Sequence, residues 1–156
     1  MATYATKAGD IQRNWYLVDA TNLVLGRMAS EIAALLMGKW KPETCAHLDT
    51  GDHVIVIHAE KVRLTGRKPE QKTYFHHTGY IGGGRKTNFR ARMEKEPGEV
   101  VRDAVWGMIP HNRLGRQMIR KLKVYPGAEH PHTAQQPIPI QLGLHGRGYP
   151  AQEREA

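Results

Sequence analysis

Hydrophobic positions change their period several times along this chain. Trp15-Tyr16-Leu17-Val18-Asp19-Ala20 is a compact aromatic and β-branched run, which predicts a first strand. From Leu23 to Met37 the pattern turns helical. Leu25, Met28, Ala29, Ile32, Leu35 and Leu36 recur at helical spacing, Thr21 or Asn22 is placed to cap the start, and Gly38 sits where a terminating glycine belongs. Gly26, near that start, would let another backbone come close. Val54-Ile55-Val56-Ile57 has no alternation, which predicts a strand covered on both faces, as in a parallel sheet.

Lys61–Thr65 predicts a short element before a turn at Gly66, and Thr73–His77 a third strand ended by Thr78-Gly79. Residues 81–86, Ile-Gly-Gly-Gly-Arg-Lys, read as a flexible basic loop. Two helical segments follow over 88–96 and 97–107, split at Glu96-Pro97-Gly98. Pro97 opens the second, and Val100, Val101, Ala104, Val105 and Met108 form its buried stripe. A helix over 113–121 comes next, and Leu122-Lys123-Val124-Tyr125 alternates like a fourth strand. Residues 1–14 read as an extended arm, those up to 142 as an extended surface segment, and 143–156 as a loose tail. Strands alternating with helices predict one layered α/β domain over 1–142 with a largely parallel sheet.

The helix at 113–121 divides its residues by type. Leu114, Met118 and Ile119 fall on one side, whereas Arg113, Arg116 and Arg120 fall on the other. One face can seat on a core while the other presents an arginine row, and the planar guanidinium fork suits phosphate.

Charge makes that row more than local. Lys and Arg number 23 against 15 Asp and Glu, a formal net charge of +8. A balance of this sign points to nucleic acid first and an anionic membrane surface second. The 113–121 helix is too short for a membrane-surface anchor, and no apolar run approaches the roughly 20 residues of a membrane span. The N-terminus has no apolar stretch of a secretory signal. The single cysteine, Cys45, excludes an internal disulfide framework and fits a reducing cytosol.

Other chemistries fare worse. Gly79–Gly84 lacks the spacing of a dinucleotide fingerprint or a P-loop. His76 and His77 are adjacent on a strand and point to opposite faces. His130-Pro131-His132 lacks a second ligand pair, so no metal site is predicted. Asp19, Asp49 and Asp52 are turn residues, and no nucleophile, base and orienter come together. Basic residues, in contrast, cluster three times: Arg63, Arg67, Lys68 and Lys72; Arg85, Lys86, Arg90 and Arg92; and the 113–123 row. Such clusters predict an extended surface that reads RNA by backbone and shape. The aromatics sit mostly inside strand runs, so a stacking platform is not predicted.

Several stretches occur in a telling order. They are Trp15–Thr21, Leu25-Gly26-Arg27, His47-Leu48-Asp49-Thr50-Gly51-Asp52 and Tyr74-Phe75-His76-His77-Thr78-Gly79. Gly107-Met108-Ile109-Pro110, Leu114-Gly115-Arg116, Leu122–Tyr125 and Gln135-Gln136-Pro137 follow. Together they closely resemble the L-thirteen family of large-subunit ribosomal proteins, in its bacterial form. The resemblance implies a three-layer α/β/α domain with a central, mainly parallel four-stranded sheet. It implies binding to large-subunit ribosomal RNA beside neighbouring large-subunit proteins, as a monomer within the cytoplasmic ribosome. It also implies an early place in subunit assembly, without catalysis, cofactor or metal. Some family members also bind messenger RNA.

The family's basic motif maps onto Arg113, Arg116, Arg120, Lys121 and Lys123, and its His-His-Thr-Gly loop onto His76–Gly79. With Arg67, Lys68, Lys72, Arg85 and Lys86, these are the expected RNA-contacting residues, His76 and His77 included. Two rival functions stay open on sequence alone, a nucleotide-using α/β enzyme and a stand-alone RNA-binding translational regulator.

Overall fold

The computed structural model describes residues 5–142. The expected loose tail, 143–156, lies outside the described residues. Four short strands, β1 (Trp15–Asp19), β2 (His53–Ile57), β5 (Leu122–Val124) and β6 (Ile138–Ile140), form a sheet in the order β5-β2-β1-β6. Every pairing in it is parallel. Leu17 lies opposite Ile55 and Pro139, and Ile55 lies opposite Lys123. Tyr16, Val18, Val54, Val56 and Leu122 therefore share one face, and Leu17, Ile55 and Lys123 the other.

The first face is covered by α1 (Leu25–Met37), α4 (Pro97–Trp106) and α5 (Arg113–Arg120), which also pack on one another. Met28, Ile32, Leu35 and Leu36 from α1 meet Val100, Val101 and Val105 from α4 over the strands, all essentially inaccessible. Burying each such side chain contributes about 1.5–3 kcal/mol. Across the sheet, the segment after β5 forms the third layer. Its His132 tilts against the Trp15 ring and hydrogen-bonds the Tyr125 hydroxyl, and Thr133–Gln135 makes a 3-10 turn. The fold is the expected three-layer α/β arrangement, with one layer much thinner than the other.

Two strand assignments change. Thr73–His77 does form a strand, β3, but it leaves the main sheet and pairs antiparallel with β4 (Gly84–Asn88). The second half of the expected flexible basic loop is thus strand, and β4, wholly exposed, shows no apolar alternation in the sequence. The place in the parallel sheet goes instead to β6, whose Ile-Pro-Ile sequence lies in the expected extended surface segment. A proline cannot donate to a ladder, and β6 sits at an edge where it need not.

The start of α1 also differs. Its N-cap is Val24, with no side-chain cap; Thr21 bonds Asp19 instead, at 2.6 Å. The free amides are met from outside, Leu25 donating to the Arg63 carbonyl at 2.9 Å. The helix ends as expected, with Gly38 left-handed at φ 70°.

Candidate nucleic-acid interface

Helix α5 is held at both ends. Asn112 caps it, its side chain accepting from the Gly115 amide at 2.7 Å. Gly115 lies so close to the preceding turn that an added Cβ would stand 1.8 Å from the Pro110 carbonyl oxygen. Met118 and Ile119 are buried, while Arg113, Arg116 and Arg120 are exposed. The helix is therefore capped and closely packed where the arginines are exposed, so they meet a polyanion from an already formed helix.

Lys121 does not continue the row. The helix ends at Arg120, and the turn at Lys121 sends its side chain inward, where the residue is 7% exposed. Its ammonium lies 2.5 Å from the Asp49 carboxylate and 3.2 Å from the Leu36 carbonyl at the end of α1. Burial pushes the Lys121 pKa below its ordinary value, and the Asp49 hydrogen bond works against that shift. Lys121, expected among the RNA-contacting residues, is buried and not exposed beside the arginines.

A second pair lies beside the first. Lys41 reaches Asp52 at 2.5 Å and the Gln12 carbonyl at 2.6 Å. Asp52 also accepts from the Asn14 amide, and Arg13 donates to the Asp49 carbonyl. These bonds stitch the N-terminal arm and the 47–52 loop onto the end of α1. Gly51 belongs to the same knot, because its Cβ would stand 1.8 Å from the Leu36 carbonyl oxygen.

Lys123 is exposed on β5 and lines an open cleft with Arg102, Arg120 and Tyr125. The remaining expected contacts gather on and around the hairpin. Arg67 and Lys68 are exposed at the start of the single-turn helix α2 (Lys68–Gln71). Half-buried Lys72 places its ammonium 5.3 Å from the Tyr74 ring centre. His76 faces Arg85 across the hairpin, His77 faces Gly84, and Lys86 faces Phe75. All but Gly84 and Phe75 belong to the expected set, and all are exposed. Arg92, from helix α3 (Phe89–Lys95), turns inward over the Tyr74 ring at 4.5 Å and pairs with Asp103 at 2.6 Å.

Groups with other possible chemistry have structural partners. Asp19 accepts from the Thr21 side chain and meets His58 at 3.0 Å, and the Thr21 bond chiefly draws its carboxyl below the usual range. His53 stacks on Trp15 at 4.2 Å, and burial lowers its pKa, helped by Lys121 and Arg13. Among the described residues no three His, Cys, Asp or Glu side chains group as a metal site, and no helix is long and apolar enough to cross a membrane.

Sequence reasoning missed two things here. The Asp49 and Asp52 partnerships read as turn chemistry, although two carboxylates just before a buried strand are a signal that cations will be needed beside them. At the hairpin tip, Tyr80 and Ile81 stand exposed where the sequence predicts only a turn and a basic loop. Two apolar residues between Gly79 and Gly82 have too little neighbouring chain to bury them, and that signal was available.

A family model described as ribosomal protein L13 matches residues 13–131. The chain is 53% identical over 140 residues to the large ribosomal subunit protein uL13 of Chlorobium limicola, covering 90% of this chain and 94% of that one. It is 55% identical over 140 residues to the protein of that name from Chlorobium chlorochromatii, with the same coverage. Identity to the one from Roseiflexus sp. (strain RS-1) is 56% over 137 residues, covering 88% of this chain and 94% of the relative. Proteins of this family are structural parts of the ribosome, in the bacterial cytoplasm, and not enzymes. The chain belongs to the ribosomal protein L13 family.

Proposed function

We propose that this protein is a constituent of the large ribosomal subunit that binds and stabilises folded ribosomal RNA, joining it early in assembly beside neighbouring proteins. The observation behind this reading is the capped, core-packed α5 with Arg113, Arg116 and Arg120 exposed on it. Arg67, Lys68, Lys72, His76, His77, Arg85, Lys86 and Lys123 extend the contact surface, while Lys121 supports the helix from within. Residues 1–142 act in this reading as one domain with an N-terminal arm. Positions held rigid suit a partner recognised by backbone and shape, as structured RNA is.

The test is co-sedimentation with isolated large subunits through a high-salt gradient. Recovery in the subunit peak is expected, and recovery only at the top would overturn the assignment. Affinity for large-subunit ribosomal RNA should fall by about three to five decades between about 50 and 200 mM salt if six to ten phosphates are contacted. An early role is checked by pulse-labelling, where the protein should appear in assembly precursors before most of its neighbours.

A further inference from the structure

Among the described residues five large hydrophobic side chains are exposed, and three of them belong to one hairpin: Phe75 at 64%, Tyr80 at 81%, and Ile81 fully out in solvent. Phe75 stands on β3 opposite Lys86, with the His77 ring 6.3 Å away. Tyr80 and Ile81 occupy the tip, which is not loosely held. The Thr78 amide donates to the Gly83 carbonyl at 3.1 Å, the Gly83 amide to the Tyr80 carbonyl at 2.9 Å, and the Gly79 amide to His77 Nδ1 at 3.0 Å. Gly79 and Gly82 take the left-handed conformations that this turn requires. The apolar groups are thus presented on a hydrogen-bonded frame.

Their electrostatic setting selects the occupant. From Gln71 to Met93 there is no acidic residue, and while Arg90 pairs with Glu70 and Arg92 with Asp103, Lys72, Arg85 and Lys86 form no ion pair among the described residues. Protein interfaces deplete charge at their centre, whereas aromatic rings interleaved with cations match single-stranded nucleic acid, whose bases stack while its phosphates pair. We propose that the β3–β4 hairpin is a stacking platform for unpaired bases, with Phe75 and Tyr80 supplying the rings and Arg85 and Lys86 the phosphate contacts. This rests on the ribosomal-RNA reading and adds to it a class of target, a loop or bulge in place of a continuous helix. It also departs from the expectation that a chain whose aromatics sit mostly inside strand runs carries no stacking platform.

The experiment replaces Phe75 and Tyr80 together by leucine, which keeps apolar bulk and removes the π-face. Binding to purified large-subunit ribosomal RNA is then measured across a salt series. Stacking predicts affinity lower by about fivefold to a hundredfold per base lost, with an unchanged salt slope because no cation is removed. Photocrosslinking at short ultraviolet wavelength should join a nucleotide to the Phe75–Ile81 peptide in the unmodified protein and not in the variant. Equal affinity for the two proteins would overturn the inference, as would loss of subunit co-sedimentation with RNA affinity intact, which would place a protein against the hairpin. If the unmodified protein failed to bind ribosomal RNA at all, the broader reading would fall instead. The hairpin lies apart from the core sheet, and a retained circular-dichroism spectrum is the expected control.

Discussion

The ammonium of Lys121 lies 2.5 Å from Asp49, directly after the arginine that closes the solvent-facing row of α5. Neighbours in sequence, Arg120 and Lys121 serve opposite ends of the problem, one facing outward and the other anchoring the helix. Removing one partner of a buried pair strands the other charge, so Lys121→Ala should lower unfolding free energy by about 3–5 kcal/mol. Arg120→Ala, at an exposed position, should stay within about 0.5 kcal/mol. Urea unfolding of the two variants decides it, and equal losses would contradict the division of roles.

Glycine-to-alanine changes should have opposite signs at two helical sites. Gly115 is inside α5, where alanine normally favours the helix, yet its Cβ would meet the Pro110 oxygen at 1.8 Å. Overpacking of this kind costs about 1–3 kcal/mol. Gly26 is exposed in the first turn of α1 with nothing within 4 Å of its Cβ, contrary to the close approach expected there. Gly26→Ala should therefore stabilise by roughly 0.5–1 kcal/mol. Thermal unfolding of each variant gives the sign directly.

Acidification should weaken the fold through His53. Burial first, then Lys121 and Arg13, hold its folded-state pKa below the ordinary 6.5. The unfolded chain then takes up the proton sooner. The contribution is complete above 6.5 and is lost as pH falls toward the folded value. Stability of the unmodified protein should drop as pH falls below the ordinary histidine value of 6.5, and His53→Asn should flatten that slope. An unchanged slope would remove His53 from the account.

The arginine row should be visible as counterion release. Arg113→Gln, Arg116→Gln and Arg120→Gln should each weaken ribosomal-RNA binding and reduce the logarithmic salt slope by about 0.7–0.9. Lys121→Gln should leave the slope of the folded fraction unchanged, because that ammonium is turned to Asp49. A slope that fell equally in all four variants would show Lys121 to be reachable from solvent.

How much of this was legible beforehand depended on where the information lay. Strands β1 and β2, helix α1 and helix α4 carry strong local periodicity, and their existence and type were readable from it. The outward arginines of α5 followed from the same rule. Lys121 did not, because its direction depends on a turn one residue past the helix and on a carboxylate far away in sequence. The hairpin and β6 escaped for a related reason. Glycine in one and proline in the other erase the alternation, while their pairing comes from partners that the local pattern does not register. The family resemblance supplied the topology class, but not the exposure of Phe75, which depends on its strand leaving the main sheet, whereas Tyr80, set between two turn glycines, carries that signal locally.

The order β5-β2-β1-β6 has a consequence for synthesis. Tyr16 near the start of the chain is flanked on one side by Ile138, near the end of the described residues. A ribosome making this protein must release the chain through Ile140 before the first strand acquires its second neighbour. Until then β1 offers an open row of amides and carbonyls, the kind of template on which nascent chains aggregate. Chains cut short before residue 138 should therefore be far less soluble than their small loss of buried area would suggest.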